Sequence, residues 1–234
     1  MTLAIMQPYI FPYIGYFQLI HAVDKFVVYD DVNFIKQGWI NRNQILLNGK
    51  EFLFSIPVAE VSSYKKINEV QVHKRLYDAW KPKFYKSLEQ AYSKATFFDE
   101  TFTLVKDVLD NECLTIARLA TDAIRKISGY LDIDTFIVAT SAQYENDSLH
   151  GKDRVIDICK KEGANTYVNA AGGAALYSKS FFKNENIQLY FLTTKEVRYQ
   201  QLTEHFIPDL SIIDVLMFNS KEKINELLKR YELV

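Results

Sequence analysis

The chain has few cysteines, no long apolar run and no excess of charge. Its two cysteines, Cys113 and Cys159, are too few and too far apart for a disulfide framework or a zinc site. Both lie in segments with a helical pattern, and we expect them to be buried small side chains. No apolar run approaches the ~18–20 residues needed to cross a membrane. The formal net charge of −1 gives no bulk attraction to nucleic acid or to an anionic membrane.

The first residues also lack the pattern of a secretory leader. Met1–Met6 has no basic flank, and Gln7 and Pro8 break its apolar stretch. We therefore expect a cytoplasmic protein without membrane insertion and without a nucleic-acid partner. A phosphate-binding loop, an HExxH zinc motif, a Cys-His pair and a Ser-His-Asp order are absent as well, which excludes the enzyme classes that those motifs identify.

Aromatic residues are abundant. They make up 14% of the 234 residues, with 15 Tyr, 16 Phe and 2 Trp. Many tyrosines fall near predicted loops, where an apolar ring with a polar tip suits a ligand pocket. For most of them, a place at the edge of the core is the alternative.

A strand, a helix and a second strand open the chain. Leu3–Met6 and Phe26–Tyr29 are short apolar runs, and the amphipathic stretch Ile14–Val23 lies between them. This order predicts two parallel strands with a right-handed crossover. Ile40–Leu47 and Glu51–Pro57 then flank an Asn-Gly pair, which predicts a β-hairpin.

The rest of the chain contains a helical block and then a second α/β region. We expect Pro82 in the first turn of its helix and Gly129 at the end of the third helix. Ser211 and Ser220 are candidate N-caps. The predicted helices are Tyr77–Lys94, Phe98–Leu109, Glu112–Ile127, Asp153–Glu162, Ser178–Asn184, Ile212–Phe218 and Lys221–Tyr231, and the predicted strands are Val70–His73, Thr135–Ala139, Thr166–Asn169 and Ile187–Leu192.

These patterns predict an α/β fold. We expect one domain, 1–234, with a Rossmann-like, mostly parallel sheet, a β-hairpin and a helical insertion at about residues 75–130. Such sheets bind ligands beyond the carboxyl ends of their strands. The loops that this rule selects are Gln7–Gly15, Asp30–Trp39, Thr140–Lys152 and Asn169–Tyr177.

The loop after the first strand is the strongest candidate ligand site. Two prolines stiffen it, and the helix that follows presents backbone N–H groups suited to an anion. We predict that Gly15 allows a ligand to approach the backbone and that the tyrosines stack on a base or sugar. The alternative is a rigid hydrophobic plug. The candidate substrate-binding residues here are Gln7, Tyr9, Tyr13, Gly15 and Tyr16.

One motif in this loop has the spacing of a known nucleotide site. Tyr13-Ile14-Gly15-Tyr16 corresponds to the His-x-Gly-His motif of nucleotidylyltransferases. Tyrosine titrates near ~10 and stays neutral, so it can bind a phosphate without neutralising it. The motif is compatible with nucleotide binding, and the absence of both histidines argues against adenylyl transfer by the usual route.

The loop after the second strand carries charges. Asp30 and Asp31 are candidate catalytic residues, as a general base or as ligands of a divalent cation such as Mg²⁺. Lys36 and Arg42 are candidate binders of phosphate or carboxylate. The alternative is a solvated turn in which Arg42 pairs with one aspartate. Trp39 and Asn43 complete the predicted substrate-binding set in this loop.

Further candidates lie in the second half of the chain. His205 is predicted as a titrating catalytic base, although a lone histidine often has a structural role. The other predicted substrate-binding residues are Lys152, Asn169, Gly172, Gly173, Tyr199 and Gln200, for which solvated charges and close-packed turns are the alternatives.

The sequence resembles the WbqC-like protein family over nearly its whole length. The matching segments are 6–20, 29–32, 38–43, 156–159, 172–177 and 210–216, from Met6-Gln7-Pro8-Tyr9 to Leu210-Ser211-Ile212-Ile213-Asp214-Val215-Leu216. The resemblance implies a role in bacterial O-antigen or other surface-polysaccharide biosynthesis, with glycyl or aminoacyl transfer to a sugar as the suggested activity. It carries over no catalytic residues.

Three functions follow from the residues and the resemblance. The first is a transferase that modifies a nucleotide-linked amino sugar, with the Gln7–Tyr16 loop on the nucleotide or sugar. In that mechanism Lys36, Arg42 and Lys152 hold phosphates, and Asp30, Asp31 or His205 deprotonates the amine. The alternatives are a non-catalytic nucleotide- or sugar-binding assembly protein and a divergent nucleotidylyltransferase.

Overall fold

Short apolar runs alternate with helices in a computed structural model of the chain, which describes residues 1–62, 64–111 and 114–234. Their order gives an α/β fold with one six-stranded sheet and a separate two-stranded hairpin. The Rossmann-like prediction is therefore confirmed. The strands are β1 Thr2–Met6, β2 Lys25–Val28, β3 Arg42–Leu47, β4 Lys50–Ser55, β5 Phe136–Val138, β6 Thr166–Ala170, β7 Gln188–Thr194 and β8 Tyr231–Leu233.

The large sheet has the strand order β5-β2-β1-β6-β7-β8. Every pair from β5 to β7 is parallel, and β7 pairs with β8 in the antiparallel sense. The carboxyl ends of five strands therefore meet at one edge. Successive connections diverge between β1 and β6, where such sheets leave a crevice.

Helices cover both faces of this sheet. One face carries α1, α7 and α8, and the other carries α5 and α6. The buried residues of α2, α3 and α4 join the same apolar core as α1. The helices are α1 Ile14–His21, α2 Lys74–Tyr92, α3 Phe98–Leu109, α4 Ile116–Tyr130, α5 Gly151–Lys161, α6 Lys179–Asn184, α7 Ile212–Phe218 and α8 Lys221–Leu228. None of the helices in the described ranges has the length and apolarity to cross a membrane.

The hairpin follows directly from its turn residues. Asn48 and Gly49 both have positive φ, 53° and 72°, as a two-residue turn of type I′ requires. The six residue pairs of β3 and β4 extend from Leu47–Lys50 to Arg42–Ser55. The predicted hairpin is confirmed, with its first strand beginning two residues later than predicted.

Pro82 lies inside α2, and its predicted place in the first turn is wrong. The helix begins at Lys74 and continues to Tyr92. A proline in a helix interior costs about 3 kcal/mol. Tyr77 before it and Phe84 after it are both buried, so packing on either side of the proline holds the helix together.

Gly129 does not end α4. The helix continues to Tyr130, and the residue with left-handed backbone is Asp132, with φ of 53°. At its start, Thr115 caps the helix by accepting a hydrogen bond from the Arg118 backbone N–H. The predicted start at Glu112 and the prediction for Cys113 lie outside the described residues.

Two further predictions need correction at the level of strands. Val70–His73 is not a strand; it forms only isolated bridges from Gln71 and Val72 after a 3-10 helix, Ile67–Glu69. The last helix ends at Leu228, because the chain turns back and adds β8 to the sheet edge. The expected N-caps Ser211 and Ser220 are confirmed, each accepting a backbone hydrogen bond.

Cys159 is buried in α5, as predicted. Burial raises the pKa of its thiol to about 12, so it stays protonated and unreactive at neutral pH.

Candidate functional site

The opening loop is held rigidly at the carboxyl end of β1. Phe11 is buried with φ of 43°, an unusual backbone conformation for a bulky residue. The Asn43 amide donates to the carbonyls of Ile10 and Phe11, at 3.1 and 2.7 Å. The Ser211 hydroxyl donates to the Phe11 carbonyl at 2.7 Å. The side chains of Asn43 and Ser211 thus hold the backbone of the loop in place.

Tyr13, Gly15 and Tyr16 have different roles at the start of α1. The Tyr13 ring packs against Gly15 so closely that an added Cβ would overlap it. Gly15 therefore makes room for a side chain rather than for a ligand. Tyr16 is 1% exposed, and its hydroxyl donates to the Gln7 carbonyl at 2.8 Å. The position equivalent to the second histidine of the nucleotidylyltransferase motif thus lies in the core, out of contact with the cavity.

A cavity of about 400 Å³ opens beside this loop. Three aromatic rings line it, from Tyr9, Tyr13 and Trp39. We call it the aromatic cavity. Burial raises the pKa of the Tyr9 and Tyr13 hydroxyls, and the Asp209 carboxylate raises that of Tyr13 further. The other lining residues are Pro12, Asn43, Gln44, Thr194 and Asp209.

A second cavity, of about 430 Å³, adjoins the first. Thr194, at the end of β7, and Asp209 line both cavities and therefore form the boundary between them. We call the second cavity the loop cavity, because most of its wall comes from the loop after β7. Its charged lining residues are Lys195, Glu196, Arg198 and Asp209, and its apolar ones are Ile14, Val197, Tyr199, Phe206, Pro208, Leu210 and Val215.

The loop after β7, residues 195–210, is anchored by a buried carboxylate. Asp214 accepts hydrogen bonds from the hydroxyls of Tyr92 and Tyr199 and from the Gln201 amide, at 2.8, 2.6 and 2.7 Å. Burial raises the pKa of Asp214, although these donors oppose the rise. Gln201 also bonds both backbone groups of Ile207 and so closes the loop. The loop cavity therefore has a fixed wall.

Three predicted site residues belong to this loop. Tyr199 contributes its ring to the loop cavity, while its hydroxyl is engaged by Asp214. Gln200 and His205 are exposed. His205 immediately precedes Phe206, a lining residue.

Asp30 and Asp31 lie in a buried polar network at the carboxyl ends of β2 and β5. Asp31 pairs with Arg154 and accepts a hydrogen bond from the Ser141 hydroxyl. Asp30 accepts from the Thr140 hydroxyl at 2.7 Å and from the Ser141 backbone N–H at 3.1 Å. Burial raises the pKa of Asp30 despite these bonds. The network ties the two strand ends together. Asp31 also lines a third cavity, of about 540 Å³, and none of the described residues around that cavity lines the aromatic cavity; its other lining residues are Lys66, Asn68, Glu69, Ala142, Glu145 and Asp147.

Arg42 is held by the turn that precedes it. Its guanidinium donates to the carbonyls of Gln37 and Gly38 and lies 5.6 Å from the Trp39 ring centre. It does not pair with Asp30 or Asp31, since the partner of Asp31 is Arg154. Lys36 is exposed on the same turn. Arg42 therefore lies against Trp39, one of the lining residues of the aromatic cavity.

The predicted residues of α5 and the β6 loop lie elsewhere. Lys152 is 3.7 Å from the Phe181 ring centre, on the face covered by α5 and α6. Asn169 is buried, and a Cβ at Gly173 would lie 2.5 Å from its amide nitrogen. Gly172 has open space around it. None of these four borders the aromatic or the loop cavity.

Four side chains selected from two loops of the sequence line the aromatic cavity, and other lining residues were not selected. Tyr9, Tyr13, Trp39 and Asn43 come together. Thr194, Asp209 and the two cations Lys195 and Arg198 were missed. A Pro-Asp pair just before a helix cap signals a turn. That signal alone could have marked Asp209, whose φ is 56°.

A metal centre is not apparent from the side chains. In the described ranges, no three His, Cys, Asp or Glu side chains gather in a way that could hold an ion. Both carboxylate oxygens of Asp31 and Oδ1 of Asp30 accept hydrogen bonds from protein donors.

Comparison with known proteins gives a family and one relative. The chain is 29% identical over 221 residues to the uncharacterized protein Rv1507c of Mycobacterium tuberculosis (strain ATCC 25618 / H37Rv), and the alignment covers 92% of each chain. No solved structure matches the chain. The model of the WbqC-like protein family matches residues 7–226, which include both cavities. The chain therefore belongs to the WbqC-like protein family.

Proposed function

We propose that the protein is a transferase of bacterial surface-polysaccharide biosynthesis that modifies a nucleotide-linked amino sugar by glycyl or another aminoacyl transfer. The observation that carries this proposal is the pair of adjoining cavities, one walled by aromatic rings and the other bordered by cations. Their volumes, about 400 and 430 Å³, are in the range of small-molecule sites.

The aromatic cavity suits a sugar ring. Tyr9, Tyr13 and Trp39 offer flat apolar faces, while Gln44 and Thr194 offer hydrogen-bonding groups for hydroxyls. Clamping of the opening loop by Asn43 and Ser211 fixes the rings before a ligand arrives, which lowers the entropic cost of binding.

The loop cavity suits the phosphates. Lys195 and Arg198 are exposed at its border. Arg198 pairs with Glu196 at 2.5 Å, and such an exposed ion pair is worth only about 0–1 kcal/mol, so a phosphate can replace it. We therefore transfer the phosphate-binding role from Lys36, Arg42 and Lys152 to these two residues.

The reaction needs one base. The amine nitrogen forms a bond to the acyl carbon of an activated aminoacyl donor, and the bond from that carbon to its leaving group breaks. The electron pair departs with the leaving group, and the surplus proton of the amine passes to the base. We assign this base to Asp209, which borders both cavities, with His205 of the same loop as the alternative. Asp30 and Asp31 take a supporting role in the buried network.

Mass spectrometry of nucleotide-linked amino sugars, incubated with the protein and an activated glycyl donor, tests the proposal. We expect a mass increase of one glycyl residue, its loss in Asp209→Asn, and weaker nucleotide-sugar binding in Lys195→Ala. The matched controls are Asp134→Asn and Lys86→Ala, exposed residues that line neither cavity. Full turnover in Asp209→Asn together with its loss in His205→Gln would move the base to His205. No mass change with any amino sugar would reject the transferase.

A non-catalytic binding protein is the second candidate. One observation favours it: Asp30 and Asp31, the adjacent carboxylates predicted to be catalytic, accept hydrogen bonds from protein side chains instead of facing a ligand. Tight binding of a nucleotide-sugar without any covalent change would support it.

A further inference from the structure

The aromatic cavity has a negatively charged lining, although it adjoins the cavity that we propose binds phosphates. Asp209 is the one charged side chain among the described residues that line it. The loop cavity, by contrast, has Lys195 and Arg198 in its wall. The loop cavity also carries the carboxylates of Glu196 and Asp209, so its charges are mixed. The aromatic cavity differs from it because none of its described lining residues is a cation that could pair with an anionic group.

The three rings strengthen this negative character. An aromatic ring presents a negative face, and cations within about 6 Å of its centre are attracted to it. Burial raises the pKa of Tyr9 and Tyr13, so both stay neutral phenols and offer their faces without adding charge. Trp39 already has a cation–π contact, because the Arg42 guanidinium lies 5.6 Å from its ring centre. Tyr9 and Tyr13 have no such neighbouring cation among the described residues.

We propose that the aromatic cavity recognises the protonated amine of its ligand, with Tyr9 and Tyr13 as the cation-binding faces and Asp209 as the counter-charge. The identification of that amine as the amino group of a sugar rests on the proposed function; the selectivity for a cation rests on the cavity alone. Asp209 then holds the nitrogen next to the loop cavity, because it borders both compartments. In the transfer reaction the bound ammonium first releases one proton to solvent, and the neutral amine that remains gives its surplus proton to Asp209 as it is acylated.

Comparing the affinities of a neutral and a cationic sugar of the same shape distinguishes recognition of the amine from stacking of the sugar ring on the aromatic side chains. The probes are D-glucosamine and D-glucose, titrated calorimetrically into the full chain at mildly acidic pH, where the amine is protonated. Cation–ring and charge contacts of this kind give a preference of about tenfold for glucosamine. Simple stacking on the rings predicts equal affinities.

The variants identify which groups carry the preference. Asp209→Asn, Tyr9→Leu and Tyr13→Leu are expected to abolish it, whereas Tyr9→Phe retains it because the ring face remains. Tyr64→Leu, at an exposed position, is the matched control. An unchanged thermal midpoint shows that each variant is folded.

Equal affinities for the two sugars, no binding of glucosamine, or a preference that survives Asp209→Asn and both leucine variants would overturn the proposal. The measurement needs neither an acyl donor nor turnover. A glucosamine preference without any transfer product therefore contradicts only the proposed function, and a transfer product without the preference contradicts only the amine site.

Discussion

Gly15 shows how one small residue shapes the candidate site. An added Cβ would lie 2.9 Å from the Thr194 hydroxyl and closer still to the Tyr13 ring. The missing side chain thus allows Tyr13 to lie against α1 and to form one wall of the aromatic cavity. The sequence led us to expect a glycine that admits a ligand; the structure gives it a packing role.

We predict that Gly15→Ala destabilises the fold by about 1–3 kcal/mol, the usual range for overpacking, and displaces Tyr13. Urea unfolding measures the stability. Gly129→Ala is the matched control, because nothing lies within 4 Å of its added Cβ in α4. That variant should gain about 0.4–1 kcal/mol. Similar effects of both substitutions would contradict the packing role of Gly15.

Asp31 is a second residue whose role the structure redefines. It is 6% exposed and pairs with Arg154, which is 3% exposed. Removing one partner of a buried pair leaves an uncompensated charge and costs about 3–5 kcal/mol. We expect that loss in Asp31→Asn by urea unfolding, while the exposed Asp134→Asn stays within about 0.5 kcal/mol of the parent. A small effect of Asp31→Asn would show that the pair is dispensable for the fold.

At the scale of elements, much of the sheet could be predicted, because its strands are short apolar runs bounded by turn residues. Phe98–Leu109 and Ile212–Phe218 agree with the sequence pattern at both ends. β8 was missed because Tyr231–Leu233 alone does not distinguish a strand from the end of a helix; only the exposed edge of β7 decides it. In the loop 195–210 the sequence indicated Tyr199, Gln200 and His205 but not Asp209, because the position of the loop depends on contacts with Asp214 of α7.

The anchoring of this loop on Asp214 predicts a particular dependence of stability on pH. A free Asp has a pKa of about 3.9, and burial raises the pKa of Asp214 in the folded chain. The folded state therefore binds more protons than the unfolded state above about pH 4, and the free energy of unfolding falls as pH rises through the folded pKa. Asp214→Asn removes this titration.

Urea unfolding of the parent and of Asp214→Asn over the range from about pH 4 to neutrality checks this. Other titrating groups are common to both proteins, so the difference in their free energies of unfolding isolates Asp214. We expect the parent to lose stability relative to the variant as pH rises. A constant difference would mean that Asp214 has an ordinary pKa.

At the scale of the whole molecule, the two cavities depend on parts of the chain that are far apart in sequence. These are the opening loop with the start of α1, the turn before β3 with β3 itself, the end of β7 with the loop after it, and α7. A ligand that spans both cavities would cross-link these parts and stabilise the fold as a unit. The rings of the opening loop could be predicted from local sequence, but this convergence could not, because it depends on packing between segments far apart in the chain.

A thermal-shift panel of nucleotides, nucleotide-sugars and glycine, each with and without Mg²⁺, tests whether a ligand in these cavities stabilises the whole fold. A ligand at a hundredfold its dissociation constant stabilises by about 2.7 kcal/mol, which raises the midpoint of a chain of this size by about 5–10 °C. We expect the largest rise with nucleotide-linked amino sugars and a smaller one in Lys195→Ala. A rise with triphosphates alone would favour a nucleotidylyltransferase, and no rise would favour an assembly protein with another kind of partner.

The hydrogen bond from Ser211 to the Phe11 carbonyl has a consequence for synthesis, since it joins residues 200 positions apart. Ribosomes add about 5–20 residues each second, so the opening loop waits about 10–40 s for the hydroxyl that secures it. During that time the nascent chain has its tyrosines but lacks the finished cavity. The protein therefore acquires its ligand site only when its translation is nearly complete.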